Sequence, residues 1–533
     1  MSESFDRVIA YHLRTKHQPQ AMARGPARMD WANQPYPFRS YEGSSIIKLE
    51  RSGFIDAGDG LLQPPALNMK SLSCLFFESL ALSGQKSLAG SKWYLRVNPS
   101  SGNLHPTEGY LIAGPMEGLE GSPGVYHYAP KDHALELLAR VKGWESLGLP
   151  GGTLLIGFSS IYWRESWKYG ERAFRYCMID LGHALATVTL AANCLGWTAA
   201  LWDDPGTDDL ARLLGLRSAP AKSGALRAPA QKSSSEEELP DVLLAIFTDG
   251  KAHREALDFA SLSRMELQTL SVVANSLSPE HISWPQIDLV SEATKKPPTV
   301  GVYAGFSATN SHAPSKFCRV LRKRRSAQAM DGKTSMKRES FHAILEAASP
   351  ARSPSGLLPW RPYIHPIIFV HRVEDLEPGL YILLRDPSQK ENLRAAMLGD
   401  FVWEKPSRTP GGLELYLLAQ GDGRLAAKET SCSQSIASDG CFAASMIAEF
   451  DGPLHEYGPW FYSRLHWECG MIAQAFYLAS EACGFQGCGI GCFFDDMVHR
   501  MLGLSGLKYQ DLYHFTVGRA LADPRLVDLP AYD

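Results

Sequence analysis

The residues best placed to do chemistry lie in one short run, Arg96-Val-Asn-Pro-Ser-Ser-Gly-Asn-Leu-His-Pro-Thr-Glu108. Ser100 and Ser101 supply hydroxyls, Asn103 offers both a donor and an acceptor, and Gly102 removes the Cβ barrier to close approach. With Pro99 at its start, the run lets backbone and short polar side chains lie against a flat ring, such as the edge of an isoalloxazine. In isolation the same letters also describe a bland turn. A degraded second copy, Ser353-Pro-Ser-Gly-Leu-Leu-Pro-Trp360, has Leu357 where the Asn belongs, and this duplication favours the ring-binding reading.

Two further constellations could complete such a site. Arg322-Lys-Arg-Arg-Ser326 sets clustered guanidinium groups beside a hydroxyl, a charge-assisted grip for phosphate centred on Arg324 and Ser326. As a lone motif the run reads first as a solvated basic face or a nucleic-acid patch. Near the end, Gly487-Cys-Gly-Ile-Gly491 brings backbone close through Gly489 and Gly491, and Arg519 and Arg525 add cations after the last strand. Lys168 and Tyr169 stand together at a candidate helix start. A lysine serves as a base only where desolvation or a neighbouring cation such as Arg172 lowers its pKa; a surface Lys beside a packed Tyr is the plainer alternative.

The elements that must position these residues repeat. At an offset of 288 positions, Lys168-Tyr-Gly170 falls on Glu456-Tyr-Gly458, Asp180-Leu-Gly182 on Glu468-Cys-Gly470, and Leu195-Gly-Trp197 on Cys483-Gly-Phe485. Apolar and small residues recur in both copies at helical spacing and end at a Gly suited to a helix C-terminus. A Gly/Asp loop, a short helix and an apolar strand follow in each, Asp241–Phe247 in one and Tyr513–Val517 in the other. The chain therefore reads as a diverged tandem repeat. Residues 1–60 form a polar arm with weak periodicity, 61–260 the first half, 261–317 a bridge with one helical stretch near Ser263–Asn275, and 318–533 the second half. A low-complexity insert at 218–238 interrupts the first half.

Composition limits the function. With 533 residues, 45% hydrophobic and 21% charged, the chain has material for several globular units. A net charge of −4 gives no argument for nucleic acid or an anionic membrane. No apolar run of membrane-spanning length is evident, and the start, Met1-Ser-Glu-Ser-Phe-Asp-Arg7, has no apolar segment of signal type, so neither a membrane nor a secretory signal is expected. Ten cysteines at this length do not make a disulfide framework, and a reducing cytoplasm is expected. Cys483, Cys488 and Cys492 lack a clear fourth ligand, so no metal is expected. Gly332-Lys-Thr334 lacks the first Gly and the leading strand of a P-loop, and no Gly-x-Ser-x-Gly nucleophile elbow occurs. His183, on an apolar helix face, reads as a satisfied core histidine.

Taken in order, Pro99-Ser-Ser-Gly-Asn103, Lys168-Tyr-Gly-Glu-Arg-Ala-Phe-Arg-Tyr176 running into Asp180-Leu-Gly-His183, Arg324-Arg-Ser326, and Val373-Glu-Asp-Leu-Glu-Pro-Gly-Leu-Tyr381 resemble the FMN-dependent nitroreductase superfamily. Within it they resemble the SagB-type dehydrogenases, which include the thiazoline oxidases. The resemblance implies an α+β fold, two tandem domains each with a mostly antiparallel sheet wrapped by helices, and an intramolecular pseudo-dimer. It also implies one composite FMN site, with Pro99, Ser100, Ser101 and Asn103 from one half and Arg324, Ser326, Gln328, Gly489, Gly491, Arg519 and Arg525 from the other. Gln328 stands where many members carry a cation. Lys168 and Tyr169 match a Lys-Tyr pair that removes a substrate proton while hydride passes to FMN.

Three functions remain open. The chain is expected to oxidise a small-molecule or peptide-derived heterocycle, or to reduce nitro compounds or quinones with NAD(P)H, or to be a flavin-losing scaffold that binds a peptide or partner. Whether two chains pair into a further homodimer is left open.

Overall fold

Two helices of 22 residues, Ala173–Cys194 and Phe461–Ala482, lie side by side at the centre of the molecule, and almost every residue in both is buried. Their apolar and small residues run all the way round, as a helix buried on every side requires. Each ends in the same way. Gly196 (φ 72°) lets Trp197 N reach Ala192 O at 2.9 Å, and Gly484 (φ 78°) lets Phe485 N reach Ser480 O at 2.9 Å, the left-handed glycine stop that caps orphaned carbonyls. Gly182 and Gly470 sit where the helices touch. A Cβ on Gly182 would come within 2.9 Å of Trp467 Cα, and one on Gly470 within 2.9 Å of Gly182 Cα. These two glycines occupy equivalent positions of the repeat, so the halves meet about a local two-fold axis through their closest backbone approach.

The computed structural model describes residues 2–54, 64–216, 236–303, 315–352 and 354–532. Each half wraps one antiparallel sheet. In the second half the strands run in the order Leu415–Gln420, Gly379–Leu383, Ile364–Val370, Phe442–Glu449, Tyr509–Gly518, Gln486–Ile490. The first half repeats this order as Ala134–Lys142, Gly124–Ala129, Thr107–Ala113, Leu154–Ile161, Glu238–Phe247, Thr198–Trp202. The offset of 288 places Leu154–Ile161 on Phe442–Glu449 and Thr198–Trp202 on Gln486–Ile490 without a gap. The chain is an α+β tandem of two like domains joined as an intramolecular pseudo-dimer.

The halves also exchange segments. Val527–Leu529, near the C-terminus, pairs with Leu82–Leu88 of the first half, and the Tyr532 hydroxyl donates to Pro130 O at 2.8 Å. The expected weakly periodic arm begins instead with a helix, Ser2–Arg14. Val8, Tyr11, His12 and Thr15 make one buried stripe, and His12 Nε2 lies 2.9 Å from Gln510 Oε1. Apolar Ile9, Ala10 and Leu13 between the stripe positions, and polar His12 and Thr15 on the stripe itself, hide its period in the sequence.

Two expectations fail in the bridge and among the cysteines. The stretch Ser263–Asn275 is not helical: after a short helix, Phe259–Ser263, Glu266–Thr269 is a strand pairing with Ala139–Lys142. The open edge of the first sheet captures it, and tertiary pairing overrides local propensity. The bridge helix lies later, at Pro285–Ala293, with Pro at its first position. Cys194, at the end of the first central helix, is disulfide-bonded to Cys318 at the entry to the second half. Such a bond is unusual for the reducing compartment expected.

The stretch Tyr162–Cys194 has the length and apolar composition of a membrane span, but 89% of its most apolar window is buried inside the protein. Of the insert at 218–238, residues 218–235 lie outside the described residues. Glu236, at its end, is buried and accepts from Leu277 N and Ser278 N, while Glu238 already opens a strand.

Candidate functional site

A cavity of about 370 Å³ opens between the halves, walled by both central helices, the Pro99–Asn103 loop, the Arg324–Gln328 segment and the Gly489–Cys492 strand end. Its loop wall is built by unusual backbone. Gly102, Asn103 and His105 all have left-handed φ, at 59°, 60° and 54°. Non-glycine residues reach that region only where the surroundings over-determine it, and such sites cluster around ligands. The surroundings are visible here. Ser101 donates its N–H and its hydroxyl to Asp180 (3.0 and 2.9 Å), Ser100 Oγ accepts from His105 N at 2.8 Å, and Asn103 Nδ2 donates to Tyr94 O at 2.8 Å. Thus the Ser and Asn side chains shape the loop from behind, and the loop presents its backbone and Gly102 to the cavity.

Lys168 and Tyr169 end a helix, Tyr162–Tyr169, beneath this loop. A Cβ at Gly102 would stand 2.5 Å from the Tyr169 hydroxyl and 3.1 Å from Lys168 Nζ, so only glycine fits against the pair. Tyr169 lines the cavity; the Lys168 ammonium lies 5.2 Å over its ring. Glu165, one turn earlier on that helix, is fully buried beside Asp180. Burial and then the Asp180 charge hold Glu165 well above the usual carboxylate range, and burial pushes Asp180 up to about 7. Two carboxyl groups taken from water side by side keep a proton, although the Lys168 charge works against this at Glu165.

The opposite wall carries the cation. Arg324 is only 4% exposed, and its guanidinium donates to Val97 O (3.2 Å) and approaches Ser326 Oγ (3.4 Å). Among the described residues no carboxylate lies within ion-pair distance of it. A buried guanidinium without a counter-charge is an anion site in waiting. Ser326 Oγ is 2.9 Å from the Tyr477 hydroxyl, which also accepts from Gly489 N at 2.8 Å. Gln328 lines the mouth. The neighbouring arginines do other work: Arg322 donates to Leu82 O and Arg325 to Ser83 O, both at 2.8 Å, tying the second half to the first.

The structure therefore brings Pro99, Ser100, Ser101, Asn103, Tyr169, Arg324, Ser326, Gln328, Gly489 and Gly491 to one cavity, with Lys168 directly behind Tyr169. Arg519 and Arg525 are not part of it. The Arg519 guanidinium lies over the Phe485 ring, and Arg525 pairs with Asp523 on the surface at 2.7 Å. The two cavity glycines make room for rings: a Cβ on Gly491 would lie 3.0 Å from Tyr176 Cδ1, and one on Gly489 2.9 Å from Tyr513 Cζ.

Sequence reasoning missed the floor, Tyr176, Tyr477 and Tyr513, whose rings come from the central helices and the last sheet. Their signal was a phenol placed on an otherwise apolar face. His183 also reaches the floor. Burial lowers its pKa to about 3, and it is satisfied by Gln474 (3.2 Å) and Tyr513 (3.4 Å). His105 Nδ1 and Asn98 Oδ1 are buried without a partner in the cavity wall.

An uncompensated cation with hydroxyls at one end, small residues on left-handed backbone at the other, and aromatic rings between them fit a ligand with an anionic head and a flat polar ring. The volume falls within the range of cofactor sites, roughly 300–1,000 Å³. FMN has that shape and charge. Among the described residues no group of three metal-ligating side chains is gathered.

Comparison with known proteins bears on the family and the fold. Residues 321–519 match the Nitroreductase family. The nitroreductase-type protein MJ1384 of Methanocaldococcus jannaschii is 25% identical over 138 residues, covering 24% of this chain and 65% of that protein. The trifolitoxin-processing protein TfxB of Rhizobium leguminosarum bv. trifolii is 30% identical over 147 residues, 25% of this chain and 39% of that protein. These matches span from about two-fifths to just under two-thirds of the relatives' own length. A solved nitroreductase-type structure from Anabaena variabilis superposes on 97% of this chain and 99% of its own, with a TM-score of 0.69 and 23% identity, so the tandem fold extends over the whole molecule.

Proposed function

We propose that this chain, whose residues 321–519 match the Nitroreductase family, is an FMN-dependent dehydrogenase of the SagB-type branch with one composite site per chain. The carrying observation is the cavity between the halves, where Arg324, buried and with no carboxylate in ion-pair distance among the described residues, faces the loop of Ser100, Ser101 and Asn103. Arg324 and Ser326 would hold the FMN phosphate, and the left-handed backbone at Gly102 and Asn103 would meet the ring edge. Bound FMN supplies hydride chemistry.

The protein then has to bind substrate, exclude water and move a proton. Lys168 Nζ, at the underside of the loop, is the group placed to take a proton from a substrate carbon; the Tyr169 hydroxyl orients the substrate beside it. The buried Glu165–Asp180 pair fixes the Ser101 turn and keeps its proton away from solvent. The second half carries Glu456 at the position of Lys168, so proton removal belongs to the first half alone. The names of two relatives, TfxB and the microcin B17-processing protein McbC of Escherichia coli, concern peptide processing and favour a peptide-derived heterocycle, an azoline, as substrate. A cytoplasmic location fits such a role.

The test is the visible spectrum and flavin-to-protein ratio of the purified chain after FMN saturation. One FMN per chain is expected. Two would mean that the equivalent position in the other half also binds, and none would overturn the proposal.

A further inference from the structure

We propose that Cys432 and Cys492 form a redox-active dithiol in the wall of this cavity, one that exchanges with small disulfides of the glutathione disulfide class. The two residues are 60 positions apart, yet their sulfurs stand 2.7 Å from each other. A disulfide bond is about 2.05 Å long, so closing it requires well under 1 Å of movement. Among the described residues no other pair of free thiols is in such contact. Cys74, Cys177, Cys441 and Cys469 are buried singly, whereas Cys432 and Cys492 are both part-exposed. Cys492 lines the cavity, where a solute can reach it.

The backbone is arranged to hold the pair together. Phe494 N donates to Thr430 O at 2.8 Å, and the Gln434 side-chain amide bridges Ser431 O and Cys492 O, both at 2.9 Å. These bonds clamp the 430–434 turn onto the 492–494 segment. Cys432 and Ser433 lie consecutively in the left-handed region, at φ 53° and 58°, where two non-glycine residues in a row are costly. That turn aims Cys432 at Cys492.

Electrostatics divides the labour. A hydrogen bond from the Cys432 thiol favours the Cys492 thiolate, burial opposes it, and the Arg172 guanidinium favours it again; the net is a pKa below the ordinary thiol value. The Cys432 thiol is correspondingly raised. Cys492 is thus the attacking sulfur and Cys432 the resolving one. In the first step the Cys492 thiolate attacks one sulfur of the small disulfide, a mixed disulfide forms, and one thiolate leaves and takes up a proton. In the second, Cys432 loses its proton and attacks the Cys492 sulfur, expelling the second thiolate. The dithiol is oxidised by two electrons and the small disulfide is reduced to two thiols.

This inference does not depend on FMN, and its test is run on the full chain with and without the flavin. The protein is equilibrated in buffers of graded reduced and oxidised glutathione, quenched with an alkylating agent, and mapped by peptide mass spectrometry. The expected result is one Cys432–Cys492 cross-link appearing as a single two-electron couple, distinct from Cys194–Cys318. C432S should stop at glutathione bound to Cys492, and C492S should lose its remaining thiol at least roughly tenfold more slowly. Both thiols still fully alkylated in the most oxidising buffer, or independent glutathione adducts on each without a cross-link, would overturn the proposal. Trapping of the adduct on Cys432 rather than Cys492 would overturn the assignment of the attacking sulfur.

Discussion

The cavity and its counterpart across the local two-fold are built from the same strands and helices, and one is open while the other is filled. Where the cavity has Gly491, the counterpart has Asp203; where it has Tyr176, the counterpart has Arg464. Asp203 pairs with Arg464 at 2.7 Å and accepts the Tyr303 hydroxyl at 2.7 Å. Tyr303, from the bridge, packs at a tilt against Trp360 and Tyr457, and Lys296 from the same bridge packs over Trp460. On the counterpart side the buried cation has been given its carboxylate and the space has been given to aromatic rings. On the cavity side no carboxylate among the described residues pairs with Arg324, and the rings of Tyr176, Tyr477 and Tyr513 line the space without filling it. The cavity stays open where it has Gly491, and its counterpart is closed by Asp203 together with the Arg464 and Tyr303 side chains that the acid holds.

The largest effect expected from breaking this asymmetry is on chemistry. Lys168→Ala should retain bound flavin but slow single-turnover oxidation of a thiazoline-containing peptide by roughly 10²- to 10⁴-fold, the usual worth of a placed acid–base group. Rapid-mixing absorbance of the flavin reads it, and an unchanged rate would remove Lys168 from the mechanism. The introduction of lysine at Glu456 should not create a second active site, because the space there is occupied.

Stability should respond on the filled side. Asp203→Ala leaves Arg464 buried without a partner, and breaking such a pair by removing one member costs about 3–5 kcal/mol. Urea unfolding should show the loss while the flavin ratio stays near one per chain. On the open side, Arg324→Ala should weaken FMN retention by roughly 1.5–3 kcal/mol, which is roughly a 10- to 150-fold increase in Kd by fluorescence titration, with little change in the unfolding midpoint of the apo protein. Equal effects of the two substitutions on flavin binding would erase the distinction between the sides.

How much of this was legible in the sequence follows from what each feature depends on. The repeat could be read because Gly182 and Gly470 must both be glycine where the helices touch, and the constant offset carries whole strands with it. Pro99–Asn103 and Arg324-x-Ser326 could be read as candidates that meet at one cavity, because the ring edge and phosphate proposed for it would each demand a local cluster. Arg519 and Arg525 were not distinguishable from site cations, since a charge in sequence does not show that Phe485 or Asp523 occupies it. The role of Asn103 was legible only in part: its amide braces Tyr94 O, which no local pattern reveals. The strand at Glu266–Thr269 depends on a sheet edge more than a hundred residues away in the chain, and the Cys432–Cys492 contact on two loops clamped by a glutamine amide. Such pairings belong to the fold and not to any window of sequence.

The smallest effect separates the two carboxylates at equivalent positions of the central helices. Glu468 is ion-paired with Arg385 and accepts from Tyr363 N, whereas Asp180 has Ser101 and the carboxyl of Glu165 for company. Asp180, raised to about 7 in the folded protein against an ordinary value near 4, is protonated when folded and ionised when unfolded between those limits. Its contribution to stability is therefore fully present below about pH 4 and is lost as the pH rises through about 7. Asp180→Asn, which cannot ionise, should flatten the fall in thermal midpoint over that window relative to the unsubstituted chain. Glu468→Gln should not reproduce this flattening, since it strands Arg385 and lowers the midpoint at every pH. Parallel profiles for Asp180→Asn and the unsubstituted chain would show that the proton on the first-half carboxyl pair is held elsewhere, with Glu165 the residue to substitute next.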